Sequence, residues 1–221
     1  MTMRWRVQAV LFDLDGTLAD TAPDLGGALN RMRQRRGLDP LPIEVLRPLA
    51  SAGARGMLQA GLQVQPGDGA FEALRDEFLD EYERALDVDS CLFAGVSQLL
   101  QELERRGLRW GVVTNKAERF TLPVLRGLSL AQRASVVIAG DTTPHAKPHP
   151  EPLLEACRRL ALPPAQAVYV GDDLRDMQAA RAAGMPSIAA GYGYLGEDSD
   201  VTQWEADAVI HEPGALLELI E

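Results

Sequence analysis

The first patterned stretch of the chain is the largely apolar run Val7 to Phe12, which stops at Asp13-Leu14-Asp15-Gly16-Thr17. A short apolar run closed by turn residues predicts a strand buried on both faces that leads into a polar loop. From Asp20 to about Asp87 the rhythm becomes helical. Leu74, Phe78, Tyr82 and Leu86 recur every fourth residue with charged residues between them, the mark of helices with one buried face. Pro23, Pro40, Pro42, Pro48 and the cluster Pro66-Gly67-Asp68-Gly69 divide this stretch into about four helices, and it holds no strand-like run.

From Leu92 onward the pattern alternates. Helices are predicted over 96–106, 151–162, 174–183 and 213–220, with one more between 113 and 136. Strands are predicted over 108–113, 136–139, 167–170, 187–190 and 208–210. Gly107 and Gly184 stand where two of the helices must stop, as glycine does after a helix C-terminus. Strands alternating with helices predict an α/β fold, a Rossmann-like parallel sheet covered on both faces. The helical stretch after the first strand is then an insertion. We expect a catalytic core of residues 1–19 and 92–221 and a helical cap of residues 20–91.

Composition narrows the function. At 221 residues, 46% hydrophobic and 24% charged, the chain can bury a real core without disulfides. Its formal net charge of −10 disfavours nucleic acid and anionic membrane as partners, so a phosphate ligand must meet a local positive site. Cys91 and Cys157 lack metal-ligand spacing and read as buried small side chains of a reducing compartment. No apolar run is long enough for a signal segment or a membrane span, and a cytoplasmic monomer or homodimer is expected. Of 22 basic residues only Lys116 and Lys147 are lysine, which marks both as places where a compact ammonium matters.

In a parallel α/β sheet, ligands bind beyond the carboxyl ends of the strands. The polar residues there are Asp13 and Asp15, then Thr114-Asn115-Lys116, then Lys147, then Gly171-Asp172-Asp173. A single aspartate after a strand is usually a turn or cap residue, and Asp20, Asp24 and Asp39 read that way. Independent capping does not explain the whole set in this order. Asp13 and Asp15, two apart in extended chain, can face the same side, and Asp172 would add a third carboxylate to an oxygen-rich site. Such a site suits Mg²⁺, which takes carboxylates, waters and substrate phosphate. A carboxylate is also a nucleophile that needs no deprotonation, provided that cations such as Mg²⁺ and Lys147 cancel charge at the phosphoryl group. Thr114 can donate its hydroxyl to phosphoryl oxygens.

Asp13-Leu14-Asp15-Gly16-Thr17, Thr114, Lys147-Pro148 and Gly171-Asp172-Asp173 with Asp176 resemble the four motifs of the haloacid dehalogenase superfamily, and the resemblance covers essentially the whole chain. It implies that Asp13 is the nucleophile that becomes an aspartyl-phosphate, with Asp15 as general acid and then base. Thr114 and Lys147 would hold the phosphoryl group, with Gly16, Thr17, Asn115 and Lys116 around the substrate. Mg²⁺ would sit on Asp13, Asp172 and the backbone carbonyl of Asp15, with Asp173 and Asp176 just outside. Through Val113-Thr114-Asn115-Lys116 and Ala182-Ala183-Gly184-Met185 the chain is most similar to phosphoglycolate phosphatases. Ser51-Ala52-Gly53-Ala54-Arg55-Gly56 and Gly191-Tyr192-Gly193-Tyr194 are also similar to the N-acetylmuramic acid 6-phosphate phosphatases. A phosphomutase of the β-phosphoglucomutase type shares these motifs, and a catalytically silent interaction protein is the alternative from another class. Both candidate substrates, small phosphorylated metabolites, carry a carboxylate. Arg55, flanked by glycines at 53 and 56, is the residue expected to bind it through its planar fork.

Overall fold

The computed structural model describes residues 4–196 and 200–221. Strand β1 (Ala9–Phe12) runs into a tight turn and the two-residue strand β2 (Ala19–Asp20). Helices α1 (Ala22–Arg35), α2 (Ile43–Leu46), α3 (Gly53–Leu62) and α4 (Phe71–Glu83) follow, and β3 (Cys91–Leu92) returns antiparallel to β2. The rest of the chain alternates as α5 (Val96–Arg105), β4 (Arg109–Val113), α6 (Glu118–Gly127), β5 (Val136–Ile138), α7 (Glu151–Leu160), β6 (Ala167–Gly171), α8 (Leu174–Ala183) and β7 (Ser187–Ala190). It closes with β8 (Ala208–Ile210) and α9 (Leu216–Leu219).

Six strands form one parallel sheet in the order β5-β4-β1-β6-β7-β8. The strands are apolar on both faces because both faces are covered. Val10 and Phe12 face a core shared with Leu100, Leu103 and Val124, whereas Ala9 and Leu11 face Leu153, Cys157 and Ala180 on the other side. Phe12 lies level with Val112 and with Val170, so the loops after β1, β4 and β6 leave the sheet at one edge. Successive connections diverge on either side of β1, and such a switch point opens a crevice for a ligand.

Helices α1, α3 and α4 pack on one another around Leu29, Met32, Met57 and Phe78. The first turn of α1 has no side-chain cap of its own. Tyr194, from the loop after β7, accepts hydrogen bonds from the Thr21 and Ala22 amides at 2.7 and 2.9 Å and donates to Asp20 at 2.9 Å. The amides left open at a helix start are thus satisfied from across the molecule. Asp24, buried, accepts from the amides of Val88, Asp89 and Ser90 and from the Ser90 hydroxyl, and Asp20 pairs with Arg47. Both acids tie distant segments together instead of capping their own helix.

Three sequence expectations change. The β2–β3 ribbon was not expected, because two residues per strand leave no periodicity to read. The closing helix starts as a 3₁₀ turn at Pro213–Ala215 and runs only to Leu219. Cys157 is buried as expected, but Cys91 is exposed on the ribbon. Among the described residues no helix is long and apolar enough to cross a membrane.

Candidate active site

The turn after β1 places the first two carboxylates. The Asp13 amide continues the sheet by donating to Val170 O at 2.9 Å, and Asp13 Oδ1 accepts from the Leu14 amide at 2.8 Å. The chain then folds back so that Ala19 N reaches Leu14 O and Gly16 N reaches Ala19 O, both at 2.9 Å. Gly16 makes this possible with φ +85°, and a Cβ there would lie 2.0 Å from Asp172 Oδ2. Only glycine fits both the backbone conformation and the contact.

Asp172 follows β6 and is fully buried. Its oxygens accept from the Thr17 hydroxyl and the Tyr194 amide, both at 2.9 Å, and Gly193 lies against its Cβ. Ligand atoms of Asp13, Asp172 and Asp176 all lie within 4.8 Å of one another. Burial above all, then the charges of Asp13 and Asp176, pushes the Asp172 carboxyl well above the usual carboxylate range. A buried carboxylate that meets two others and has no cation of its own is unfavourable by itself. Three oxygen donors of this kind fit a hard divalent cation.

Lys147, from the loop after β5, is buried beside this cluster. Its ammonium lies 3.0 Å from Asp13 Oδ1 and 2.7 Å from Asp176 Oδ1, and it donates to Tyr169 Oη at 2.7 Å and Val113 O at 3.1 Å. Burial opposes its charge, but the two carboxylates outweigh burial and hold it above the ordinary lysine range. Asn115 fixes the loop. Its side-chain oxygen accepts from the Lys147 amide at 2.9 Å and its amide group donates to Lys147 O at 2.8 Å. Thr114 is buried at the end of β4, and its oxygen accepts from the Lys116 amide at 3.1 Å, which leaves its own hydrogen free to donate.

Lys116 sits on the opposite side of the site, 2.9 Å from Asp15 Oδ1 and 4.7 Å from the centroid of the Tyr82 ring. Burial again opposes the charge, and Asp15 again outweighs it. The Thr21 hydroxyl donates to the same Asp15 oxygen.

Asp13, Asp15, Thr114, Asn115, Lys116, Lys147, Asp173 and Asp176 therefore border one cavity of 390 Å³, and Asp172 lies within 4.8 Å of the Asp13 and Asp176 oxygens. Gly16 and Thr17 stand behind Asp172. Asp173 caps α8 and grips Arg175 with both oxygens at 2.8 Å, and Asp176 closes the capping box by accepting from the Asp173 amide. Arg55 is exposed and does not line this cavity but an adjoining cleft of 160 Å³, which shares Ser51, Ala52, Asp173 and Arg175 with it. Tyr169, Arg175, Tyr82 and Arg119 also belong to the site or its surroundings, and no motif in the sequence points to them. Arg175 donates to Ser51 O at 2.8 Å, joining the sheet edge to the inserted helices. Arg119 borders the cavity from α6, stacked 4.4 Å from the Phe120 ring and 3.6 Å from Glu83. Only the helical period of Phe78 and Tyr82 pointed toward the apolar wall they form with Leu25, Leu79 and Phe120.

Acidic residues at the ends of β1 and β6, a buried lysine between them and a helical insertion after β1 mark the class. The family model described as haloacid dehalogenase-like hydrolase matches residues 10–190, and the chain belongs to this family. It is 44% identical over 216 residues to the N-acetylmuramic acid 6-phosphate phosphatase of Pseudomonas putida, covering 98% of this chain and 97% of that protein. It is 48% identical over 211 residues to a phosphoglycolate phosphatase of Xanthomonas campestris, covering 96% and 95%. Among solved structures, CbbY from Rhodobacter sphaeroides in complex with phosphate superposes with a TM-score of 0.75 at 26% identity, over 96% of this chain and all of that one. Within the family this chain is an enzyme of the phosphatase kind, a phosphomonoesterase.

Proposed function

We propose that the enzyme hydrolyses a carboxylate-bearing phosphate ester of sugar size, the class of N-acetylmuramic acid 6-phosphate, through an aspartyl-phosphate on Asp13. The cavity carries this choice. Its 390 Å³ lies within the range of about 300–1,000 Å³ that takes drug-sized ligands, and Leu25, Phe78, Leu79 and Phe120 line its far wall. A two-carbon acid such as glycolate would leave that wall facing water. A sugar bearing acyl and ether groups would cover it, at roughly 25 cal/mol for each Å² of apolar surface removed from water.

In this reading Asp13 attacks phosphorus while Lys147, pinned at 3.0 Å from it, offsets the charge of the approaching phosphoryl group. Thr114 donates its free hydrogen to a phosphoryl oxygen. Asp13, Asp172 and the backbone carbonyl of Asp15 would hold Mg²⁺, which would supply the charge cancellation that lets a carboxylate meet a phosphate dianion. Asp176 and Asn115 keep Lys147 in place through the contacts described above. Asp15 protonates the departing alcohol and then takes a proton from the water that cleaves the aspartyl-phosphate. Residues 20–91 act as a cap on the cavity, with the β2–β3 ribbon as its attachment.

The substrate carboxylate falls to Arg119. Of the cations at the cavity, Lys147 serves Asp13 and Asp176, Lys116 serves Asp15, and Arg175 serves Asp173 and Ser51. Among the described residues Arg119 has one anionic neighbour, the half-exposed Glu83 at 3.6 Å, besides the Phe120 ring on which it stacks. A kinetic panel tests the proposal. With Mg²⁺ present, kcat/KM should be highest for N-acetylmuramic acid 6-phosphate, lower for phosphoglycolate, and lowest for glucose 1-phosphate. A higher kcat/KM for phosphoglycolate than for the muramic ester would overturn the size argument.

A further inference from the structure

We infer that Lys116 and Tyr82 are positioning residues for Asp15, so that the inserted helices set the orientation of the acid. The inference rests on Asp15 being that acid. The two lysines of the chain divide the carboxylates between them, Lys147 beside Asp13 and Lys116 beside Asp15. Both donors to Asp15, the Lys116 ammonium and the Thr21 hydroxyl, fall on Oδ1. No described residue donates to Oδ2, so that oxygen is left to carry the transferable proton. Fixing one carboxylate oxygen from two sides fixes where the other points.

Lys116 needs holding in its turn, because its side chain is only 7% exposed and a buried ammonium with one anionic neighbour is under-solvated. Beyond Asp15, Lys116 meets the face of Tyr82, at 4.7 Å, inside the roughly 6 Å reach of a cation–π interaction. Tyr82 belongs to α4 of the inserted segment, whereas Lys116 follows β4 of the sheet. Phe120 at 5.5 Å and Phe78 at 6.4 Å set its ring. The Tyr82 hydroxyl is buried, makes no hydrogen bond of ordinary geometry among the described residues, and lies toward the Lys116 ammonium as well, so ring and hydroxyl together make the holding contact. When the inserted helices are seated, the ring pins Lys116 and Lys116 pins Asp15.

Leaving-group dependence tests this, because an acid matters for an alcohol that leaves poorly and little for nitrophenolate. Wild type, Asp15→Asn, Lys116→Met, Tyr82→Leu and Tyr82→Phe are assayed on an alkyl phosphate and on p-nitrophenyl phosphate, with folding checked by circular dichroism. Misplacing a catalytic group by about 1 Å costs on the order of 10²-fold in rate. We expect a kcat loss of that order on the alkyl ester for Lys116→Met and Tyr82→Leu, and a much smaller loss on the aryl ester. Tyr82→Phe keeps the ring and should retain more of the wild-type ratio of the two rates than Tyr82→Leu does. Equal losses on both esters for Lys116→Met and Tyr82→Leu, beside a selective loss for Asp15→Asn, would overturn the positioning role alone. Equal losses for Asp15→Asn itself would remove the acid assignment and this inference with it.

Discussion

Replacing Asp172 by asparagine should make the metal-free enzyme more stable while destroying its response to magnesium. Asp172 is buried within 4.8 Å of the Asp13 and Asp176 oxygens, and Lys147 pairs with those two but not with Asp172. Two like charges within 4.8 Å of each other repel by at least roughly 3.5 kcal/mol at an effective dielectric of about 20. Asparagine keeps the shape of the side chain. Its oxygen can take the Tyr194 amide and its amide can donate to the Thr17 hydroxyl, the two groups that now hold the carboxylate. Protonation of the wild-type carboxyl relieves part of the repulsion, so we expect a gain of about 2–4 kcal/mol at neutral pH. For a chain of this length that is a rise of roughly 4–16 °C in Tm.

The pH dependence has a definite sign. Burial and the neighbouring charges raise the folded-state pKa of Asp172, while the unfolded chain keeps a value of about 3.9. The wild type is therefore penalised only where its unfolded chain has released that proton. Below about pH 4 the two proteins should converge, and the difference should open as pH rises toward the folded-state value. With free magnesium at about 100 times its Kd the wild type should gain roughly 2.7 kcal/mol, and the variant far less. Differential scanning calorimetry from pH 4 to 8, with chelator and then with Mg²⁺, measures all of this. A chelated variant that melts no higher than wild type at pH 7, or gains as much from magnesium, would refute the account of the cluster.

Three further variants test the same geometry. Arg119→Ala should lower kcat/KM for a carboxylate-bearing phosphate by about 10- to 150-fold, the worth of roughly 1.5–3 kcal/mol for a charged hydrogen bond, and change a neutral aryl phosphate much less. Arg55→Ala, outside the cavity, should leave that selectivity in place, and a selective loss in Arg55→Ala would return the carboxylate to Arg55. Lys147→Arg should be poorly tolerated, because the ammonium is enclosed by Asp13, Asp176, Tyr169 and Val113, and a planar fork does not fit a pocket built for a compact charge. Steady-state kinetics near wild type for that variant would contradict it.

The sheet was legible in the sequence because a strand covered on both faces must be apolar throughout, as Val10, Leu11 and Phe12 are. The chemistry of its carboxyl edge was legible for a related reason. Asp13, Thr114, Lys147 and Asp172 each follow a strand, and parallel strands bring such positions together whatever the intervening chain does. The helical insertion announced itself by a change of period.

What each side chain touches was decided only in three dimensions. Asn115 and Lys147 are 32 residues apart, and Asp172 and Tyr194 are 22 apart. No local pattern encodes hydrogen bonds over such separations. Arg55 is the clearest case, since a fork between glycines looks fit for a carboxylate, yet the packing of α3 turns it to a second cleft. Arg119 carried no signal at all, because an exposed arginine in the first turn of α6 looks the same in sequence whether it faces solvent or a cavity. Local sequence fixes which way a side chain leaves its own helix or strand, and only the packing of several elements decides what stands in front of it.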